Sequence, residues 1–161
     1  MSTNINEMRY RLIVQQAEDR QLNQLIPKIR SLLDACFEKS NASSSDRDKW
    51  KLQSKQFSNL LGVSEETDST EVVIGFIEYQ IGRDNNKKNW AWENFGERLK
   101  KELRALKDPA KGIVGQAITD SGYILSTETA RPQEEQRVWM DLVRLYAGHM
   151  RRYFIYLEKR P

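Results

Sequence analysis

The sequence has very few of the residues that build most catalytic and metal sites. Its 161 residues include one cysteine, Cys36, and one histidine, His149. One cysteine excludes a disulfide within the chain, and together with one histidine it excludes a His/Cys zinc site. Any nucleophilic triad would have to use His149 as its base. We interpret Cys36 as a small buried hydrophobe and His149 as a boundary residue that bonds to a neighbour.

Other signatures are absent as well. The glycines form neither a Rossmann nor a P-loop pattern, and the chain has no internal repeat. The paired carboxylates Glu65–Glu66 and Glu134–Glu135 are adjacent in sequence, so they do not converge on one atom. No apolar run reaches the length of a signal peptide or of a membrane span. We therefore expect a cytoplasmic, non-enzymatic protein without cofactor, metal or membrane partner.

The composition favours an amphipathic helical protein. Charged residues make up 30% of the chain and hydrophobic residues 39%, with a net charge of +3 and a pI of about 9.0. Such a balance is typical of helices with solvated outer faces, and the small excess of basic over acidic residues is compatible with a nucleic-acid partner. We predict one all-α domain over residues 1–161, a bundle of five to seven helices with a long C-terminal helix.

The periodicity of apolar residues predicts where these helices lie. Residues 6–19 form either a helix or a short strand, and residues 1–20 are expected to be flexible. The following helix is expected to begin or bend near Pro27, because proline breaks helices. Three glycines interrupt the pattern and predict an irregular insertion at 109–130, which begins with a short helix from Asp108–Pro109 and continues as an irregular or hairpin-like stretch around Tyr123–Leu125. The predicted helices are 20–38, 46–61 (ending at Gly62), 70–82, 90–107 and 132–161.

The C-terminal helix carries the most informative pattern. Its apolar stripe consists of Trp139, Leu142, Val143, Tyr146, Met150, Tyr153 and Leu157. Arg137, Arg144 and Arg151 are spaced one heptad apart and fall nearly opposite that stripe, with Arg152 beside them. These arginines are therefore predicted to face solvent, where they meet phosphates, and reversing Arg144, Arg151 and Arg152 is expected to leave the fold nearly unchanged. Trp50, Trp92 and Trp139 are expected in the core.

Two further groups of basic residues are candidates for phosphate contacts. One is the loop at 83–89, with Trp90 close by, and the other is the predicted helix 90–107. The alternative is a solvated helix face on which glutamates form ion pairs with the lysines and arginines. The predicted nucleic-acid-binding residues are Arg83, Lys87, Lys88, Lys100, Lys101, Arg104, Arg137, Arg144, Arg151 and Arg152.

Three segments resemble a known family. FIEYQIGR (76–83), FGERLKKELRAL (95–106) and LVRLYAGHMRRYFIYL (142–157) are similar to the small α-helical subunit of type III CRISPR effector complexes. The resemblance implies a structural role in antiviral defence, without catalytic residues. It also implies that copies of the chain stack beside other subunits and hold the duplex of guide and target RNA. The positions that correspond to the RNA-contacting residues of that family are Arg83, Arg144, Arg151 and Arg152, with the Lys100–Lys101 region.

Two other functions stay open from the sequence. Ile155, Val138, Leu145 and Tyr156 widen the apolar surface of the terminal helix, as expected of a homo-oligomeric scaffold or adaptor that binds only protein. A helix-turn-helix DNA regulator fits less well, because the terminal helix is too long and too aromatic for a recognition helix.

Overall fold

The computed structural model describes residues 2–160, and the side chains of residues 5–160. This part of the chain contains α-helices and two short 3₁₀ turns, Asp46–Asp48 and Trp92–Asn94, and no strand. The all-α prediction is confirmed; Met1 and Pro161, at the ends of the predicted domain and terminal helix, lie outside the described residues. The helices are α1 (Ser2–Asn41), α2 (Ser54–Glu66), α3 (Thr70–Gly82), α4 (Phe95–Ala105), α5 (Lys107–Ser121) and α6 (Ala130–Lys159).

Helix α6 is the centre of the bundle. It packs against α1, α2 and α5. The predicted stripe is buried apart from Tyr153, which is only half-buried. Burial extends well beyond the stripe, to Val138, Met140, Ala147 and Phe154. An amphipathic surface helix has one buried face, whereas this helix is covered from several sides.

Helix α1 corrects the prediction for the first forty residues. It is one helix of 40 residues that runs through Pro27, so residues 2–20 are part of a long helix. Pro27 removes the hydrogen bond to the carbonyl of Asn23, but both residues are exposed and water can replace that bond. Buried Leu25 and Ile29, on either side of the proline, supply packing energy that offsets its cost.

The short helix predicted from Asp108–Pro109 is present and longer than expected, and the irregular stretch predicted around Tyr123–Leu125 follows it without a hairpin. The prediction of an irregular insertion is therefore wrong for residues 109–121. Residues 107–121 form α5, which buries Ala110, Val114 and Ala117 on one face. That apolar face stabilises the helix despite its internal glycines. Gly122 ends it in the left-handed conformation, with a φ of 71°, which glycine adopts without strain.

Two predicted helices begin later than expected. Residues 49–53 are non-helical, and α2 begins at Ser54, where the Oε1 of Gln56 accepts from the backbone N–H of Gln53 at 3.0 Å, and continues through Gly62. Helix α4 begins at Phe95, because Glu93 and Asn94 adopt left-handed φ values of 49° and 58°. The consequence is a long irregular segment on each side of the α2–α3 pair.

An aromatic cluster fills the end of the bundle next to these irregular segments. Phe57 is fully buried at its centre, and its ring centroid lies 4.4 Å from Phe154 and 5.9 Å from Phe95. Trp50 and Trp90 pack on the same ring at 6.4 and 6.3 Å. All four tryptophans of the chain are at most 9% exposed. The core assignment of Trp50, Trp92 and Trp139 is confirmed, and Trp90 is too buried to stack on a base.

Candidate nucleic-acid interface

A cleft of about 540 Å³ lies between α2, α3 and the loop at 83–91; we refer to it as the loop cleft. The loop is organised by Asp84, which is 9% exposed. Its carboxylate accepts hydrogen bonds from the backbone N–H of Asn89 and of Ala91, each at 2.9 Å, and from Asn89 Nδ2 at 3.2 Å. Lys87 adopts a φ of 59°, which is uncommon for a residue with a side chain. The loop therefore holds a defined, locally strained conformation.

Neighbouring segments hold this loop from both sides. The backbone N–H of Lys51 donates to the carbonyl of Lys88 at 2.7 Å, and Trp50 Nε1 donates to the carbonyl of Asn89 at 2.9 Å. On the other side, the N–H of Gly96 donates to the carbonyl of Trp90 at 2.7 Å. A Cβ at position 96 would lie 3.0 Å from that same carbonyl and 2.5 Å from Ile81 Cγ1, so a larger residue would require the Ile81 side chain and the loop to shift.

The loop cleft is surrounded by cations without carboxylate partners. Lys55 and Arg83 line it, and no ion pair is formed by either residue among the described side chains. The guanidinium of Arg83 lies 5.6 Å from the ring centre of Tyr79. Lys51 and Lys87 are exposed next to the cleft, and Lys88 is half-buried. Because the lining carboxylate, Asp84, is buried and hydrogen-bonded to the loop, the open surface is positive.

The arginines of α6 are not the solvated row that the helical periodicity predicts. Arg144 donates from Nε to the carbonyl of Ser64 and from Nη2 to the carbonyl of Thr67, both at 2.8 Å. It also lies 3.2 Å from the carboxylates of Asp68 and Asp141. These contacts fasten the end of α2 and the α2–α3 connection to α6. Arg144 is therefore occupied inside the protein.

Helix α2 covers one more arginine and leaves two others open. Arg151 Nε donates to Ser58 Oγ of α2 at 2.8 Å. Arg137 and Arg152 are exposed and line a groove of about 620 Å³. Residues of α6 line it together with residues of α1 and α2, and we refer to it as the α6 groove. Arg137 pairs with Glu134 at 3.6 Å. Of the four predicted arginines, only Arg152 is exposed and forms no ion pair with a described residue.

His149 lies next to the α6 groove and does not have the neighbour that the sequence predicted. Its Nε2 is buried and has no hydrogen-bond partner among the described residues. Burial lowers the pKa of His149, and the positive charges of Arg152 and Arg30 lower it further. The imidazole is therefore mainly neutral at neutral pH.

The basic residues of α4 are mostly paired with glutamates. Lys100 is 8% exposed, and its Nζ lies 2.9 Å from Glu78 and 3.2 Å from Glu97. The hydrogen bond to Glu78 raises the pKa of Lys100. Arg104 lies 3.8 Å from Glu71, whereas Lys101 is exposed without an ion pair in the described chain. The alternative of a glutamate-paired face thus fits Lys100 and Arg104.

Cys36 is the buried hydrophobe that the sequence predicted. It is fully buried in the core, and burial raises the pKa of its thiol to about 12. A thiol with this pKa is not a nucleophile at neutral pH. Within residues 2–160, no group of three or more His, Cys, Asp or Glu side chains is placed to hold a metal ion.

Glu18 is a buried carboxyl that the sequence-based prediction did not include. It lines the α6 groove, is 8% exposed, and its Oε2 has no hydrogen-bond partner among the described residues. Burial, followed by the proximity of Asp141, raises the pKa of Glu18 to about 9. The sequence feature that indicates its burial is its position, four residues after Val14, which places it on the buried face of α1.

Replacing Glu18 with glutamine should stabilise the protein increasingly as the pH rises. In the unfolded chain the carboxyl ionises near its ordinary pKa of 4.5, whereas in the folded protein it stays protonated up to about 9. The wild type therefore loses stability between these two values, and the neutral glutamine does not. In urea denaturation, the advantage of Glu18→Gln should grow by at least about 1 kcal/mol from about pH 5 to about pH 8. Exposed Asp19→Asn is the control; an equal gain there would contradict this origin.

Comparison with known proteins gives no match to this chain, whether to a protein-family model, a curated protein or a solved structure. No described helix combines the length and the hydropathy that crossing a bilayer requires.

Proposed function

We propose that this protein binds RNA through phosphate contacts centred on the loop cleft, as a non-enzymatic subunit of a ribonucleoprotein. The observation that carries the proposal is the group of five cations around one pinned loop: Lys51, Lys55, Arg83, Lys87 and Lys88. Lysines and arginines that stabilise a fold are often paired, as Lys100 and Arg144 are here. Cations without internal partners are free to neutralise phosphates.

The specific form of the proposal is the small subunit of a type III CRISPR effector complex. The three segments that carry the resemblance lie at the end of α3, in α4 with the residue after it, and in α6. The ligand would be the duplex of guide and target RNA, and the partners would be other subunits and further copies of this chain. Within this proposal Arg83 and Arg152 contact phosphates, whereas Arg144 and Lys100 position helices.

Reversing three charges at the loop cleft should weaken RNA binding in a salt-dependent way. The variant is Lys55→Glu with Arg83→Glu and Lys87→Glu, all exposed in the free protein. For each phosphate contact that the variant removes, the slope of log affinity against log salt should become shallower by about 0.7–0.9. The measurement is the fluorescence anisotropy of labelled RNA over a series of salt concentrations. The base sequence of the RNA should matter little, since phosphates carry no base information.

The matched control reverses three exposed cations elsewhere, Arg9, Arg20 and Lys111, and changes the net charge by the same amount. Its RNA affinity should fall only slightly, and its salt slope should stay that of the wild type. If both triple variants show the same fall in affinity and in slope, binding follows net charge alone, and the loop cleft is not the site.

A scaffold function is the second candidate, and one surface favours it. Ile5, Met8 and Leu12 are 59%, 72% and 54% exposed and lie on one face of α1. Three large, exposed apolar side chains on one helix face are typical of a helix that packs on a partner protein. If the wild type binds no RNA, and light scattering shows an oligomer that Met8→Glu dissociates, the scaffold function is correct.

A further inference from the structure

The interior of the loop cleft contains more hydrogen-bonding groups than phosphate binding requires. Its volume of about 540 Å³ is within the range of cavities that hold small ligands. Leu52, Phe76 and Trp90 form the apolar part of its wall. The remaining wall is dominated by side-chain amides: Gln56, Asn59, Gln80, Asn85, Asn86 and Asn89.

Three of these amides are used by the protein itself. Gln56 caps α2, Asn86 accepts from the N–H of Lys88, and Asn89 donates to Asp84. The other three form no side-chain hydrogen bond within residues 5–160; they are Asn59, Gln80 and Asn85. An amide offers two donors and an acceptor, which is the pattern that complements the edge of a nucleobase.

The tryptophan in the wall also has an unused donor. Trp90 is 2% exposed, and its Nε1 is buried without a hydrogen-bond partner among the described residues. A buried indole N–H usually has an acceptor. The other three tryptophans follow that rule, since their Nε1 atoms donate to backbone carbonyls at 2.9–3.2 Å. Because this atom is buried, its resonance reports on the wall of the loop cleft and not on a direct bond to a ligand.

We propose that the loop cleft receives one unpaired nucleobase of the bound RNA, an inference that rests on the proposed function. The free amides bond to the edge of the base, and Lys55 and Arg83 hold the adjacent phosphates. Tyr79, 64% exposed and next to Arg83, offers a face on which a neighbouring base stacks. In an RNA duplex the Watson–Crick edge is occupied by the paired base and the major groove is too narrow for these side chains. The amides therefore contact an unpaired nucleotide of the bound RNA, whereas the phosphate contacts hold paired and unpaired RNA alike. A neutral sugar would also suit amides, but it would not need the two cations.

Removing two free amides tests the inference. Asn59→Ala with Gln80→Ala breaks no hydrogen bond of the described structure, so the fold should persist. The affinity for a labelled single-stranded RNA should fall about tenfold, the loss expected for two hydrogen bonds. The salt slope should stay unchanged, because the phosphate contacts remain. The affinity for a fully paired duplex of the same length should not change.

The control removes two exposed amides on other surfaces, Gln16→Ala with Gln133→Ala, and should bind both RNAs like the wild type. An unchanged single-strand affinity in the cleft variant, with a normal salt slope, overturns base recognition and leaves phosphate binding intact. An equal loss for single strand and duplex also overturns it. If the wild type binds no RNA at all, the proposed function fails, and this inference fails with it.

A second measurement observes the cleft directly. The indole N–H resonance of Trp90, assigned by its loss in Trp90→Phe, should shift when adenosine or uridine monophosphate is added. The same addition to Asn59→Ala with Gln80→Ala should shift it less. If the resonance responds to a neutral disaccharide and to neither nucleotide, the cleft is a sugar site and the inference is overturned.

Discussion

Replacing Phe57 with alanine should lower the free energy of unfolding by about 3–5 kcal/mol, the range found for large aromatic truncations in cores. Phe57 is fully buried and packs on Phe154, Phe95, Trp50 and Trp90. Its removal leaves a cavity between rings that come from four different segments, so the surroundings cannot collapse easily. Urea denaturation followed by tryptophan fluorescence measures the loss, because two of the neighbouring rings are tryptophans.

Two companion variants separate packing from other effects. Phe57→Leu keeps most of the volume and should cost clearly less than the alanine variant. Tyr79→Ala removes an exposed ring and should change stability by no more than about 0.5 kcal/mol. Since Trp50 holds the loop through Asn89, a Phe57→Ala protein that still folds should also bind RNA more weakly. A loss of stability below about 1 kcal/mol would show that the aromatic cluster is not the core of this end of the bundle.

Replacing Arg144 with methionine should destabilise the protein by about 2–3 kcal/mol, although arginine is usually a surface residue. Methionine keeps much of the side-chain volume but leaves the carbonyls of Ser64 and Thr67 without their donor. Hydrogen bonds to a charged donor are stronger than neutral ones, and an unpaired buried acceptor is costly. This expectation replaces the sequence-based one, in which reversing Arg144 with its neighbours left the fold nearly unchanged.

Arg152→Met is the matched control on the same helix. Arg152 is exposed, and in the described part of the chain it forms no ion pair, so its loss should change stability by no more than about 0.5 kcal/mol. If the proposed phosphate role of Arg152 is correct, this control should nevertheless weaken RNA binding. Equal stability losses in the two variants would mean that the contacts of Arg144 contribute nothing specific to the fold.

Local periodicity in the sequence accounts for the helical nature of the chain and for most of its buried faces. Helices α3 and α6 lie close to their predicted bounds, and Trp139, Leu142 and Tyr146 are buried as predicted. Such features depend only on residues three and four positions apart, so the sequence alone is enough to predict them. The structural interpretation of Cys36 also follows from this pattern, because the cysteine occupies an apolar position of α1.

Which charges are free, in contrast, depends on the tertiary structure. Arg137, Arg144 and Arg151 are nearly equivalent on a helical wheel, yet α2 lies over Arg144 and Arg151 and leaves Arg137 exposed. The loop cleft likewise joins Lys55 to Arg83, which are far apart in the chain. Packing between distant segments sets these contacts, and no local pattern encodes them. For the same reason α1 continues through Pro27, since burial against the rest of the bundle outweighs the cost of one proline.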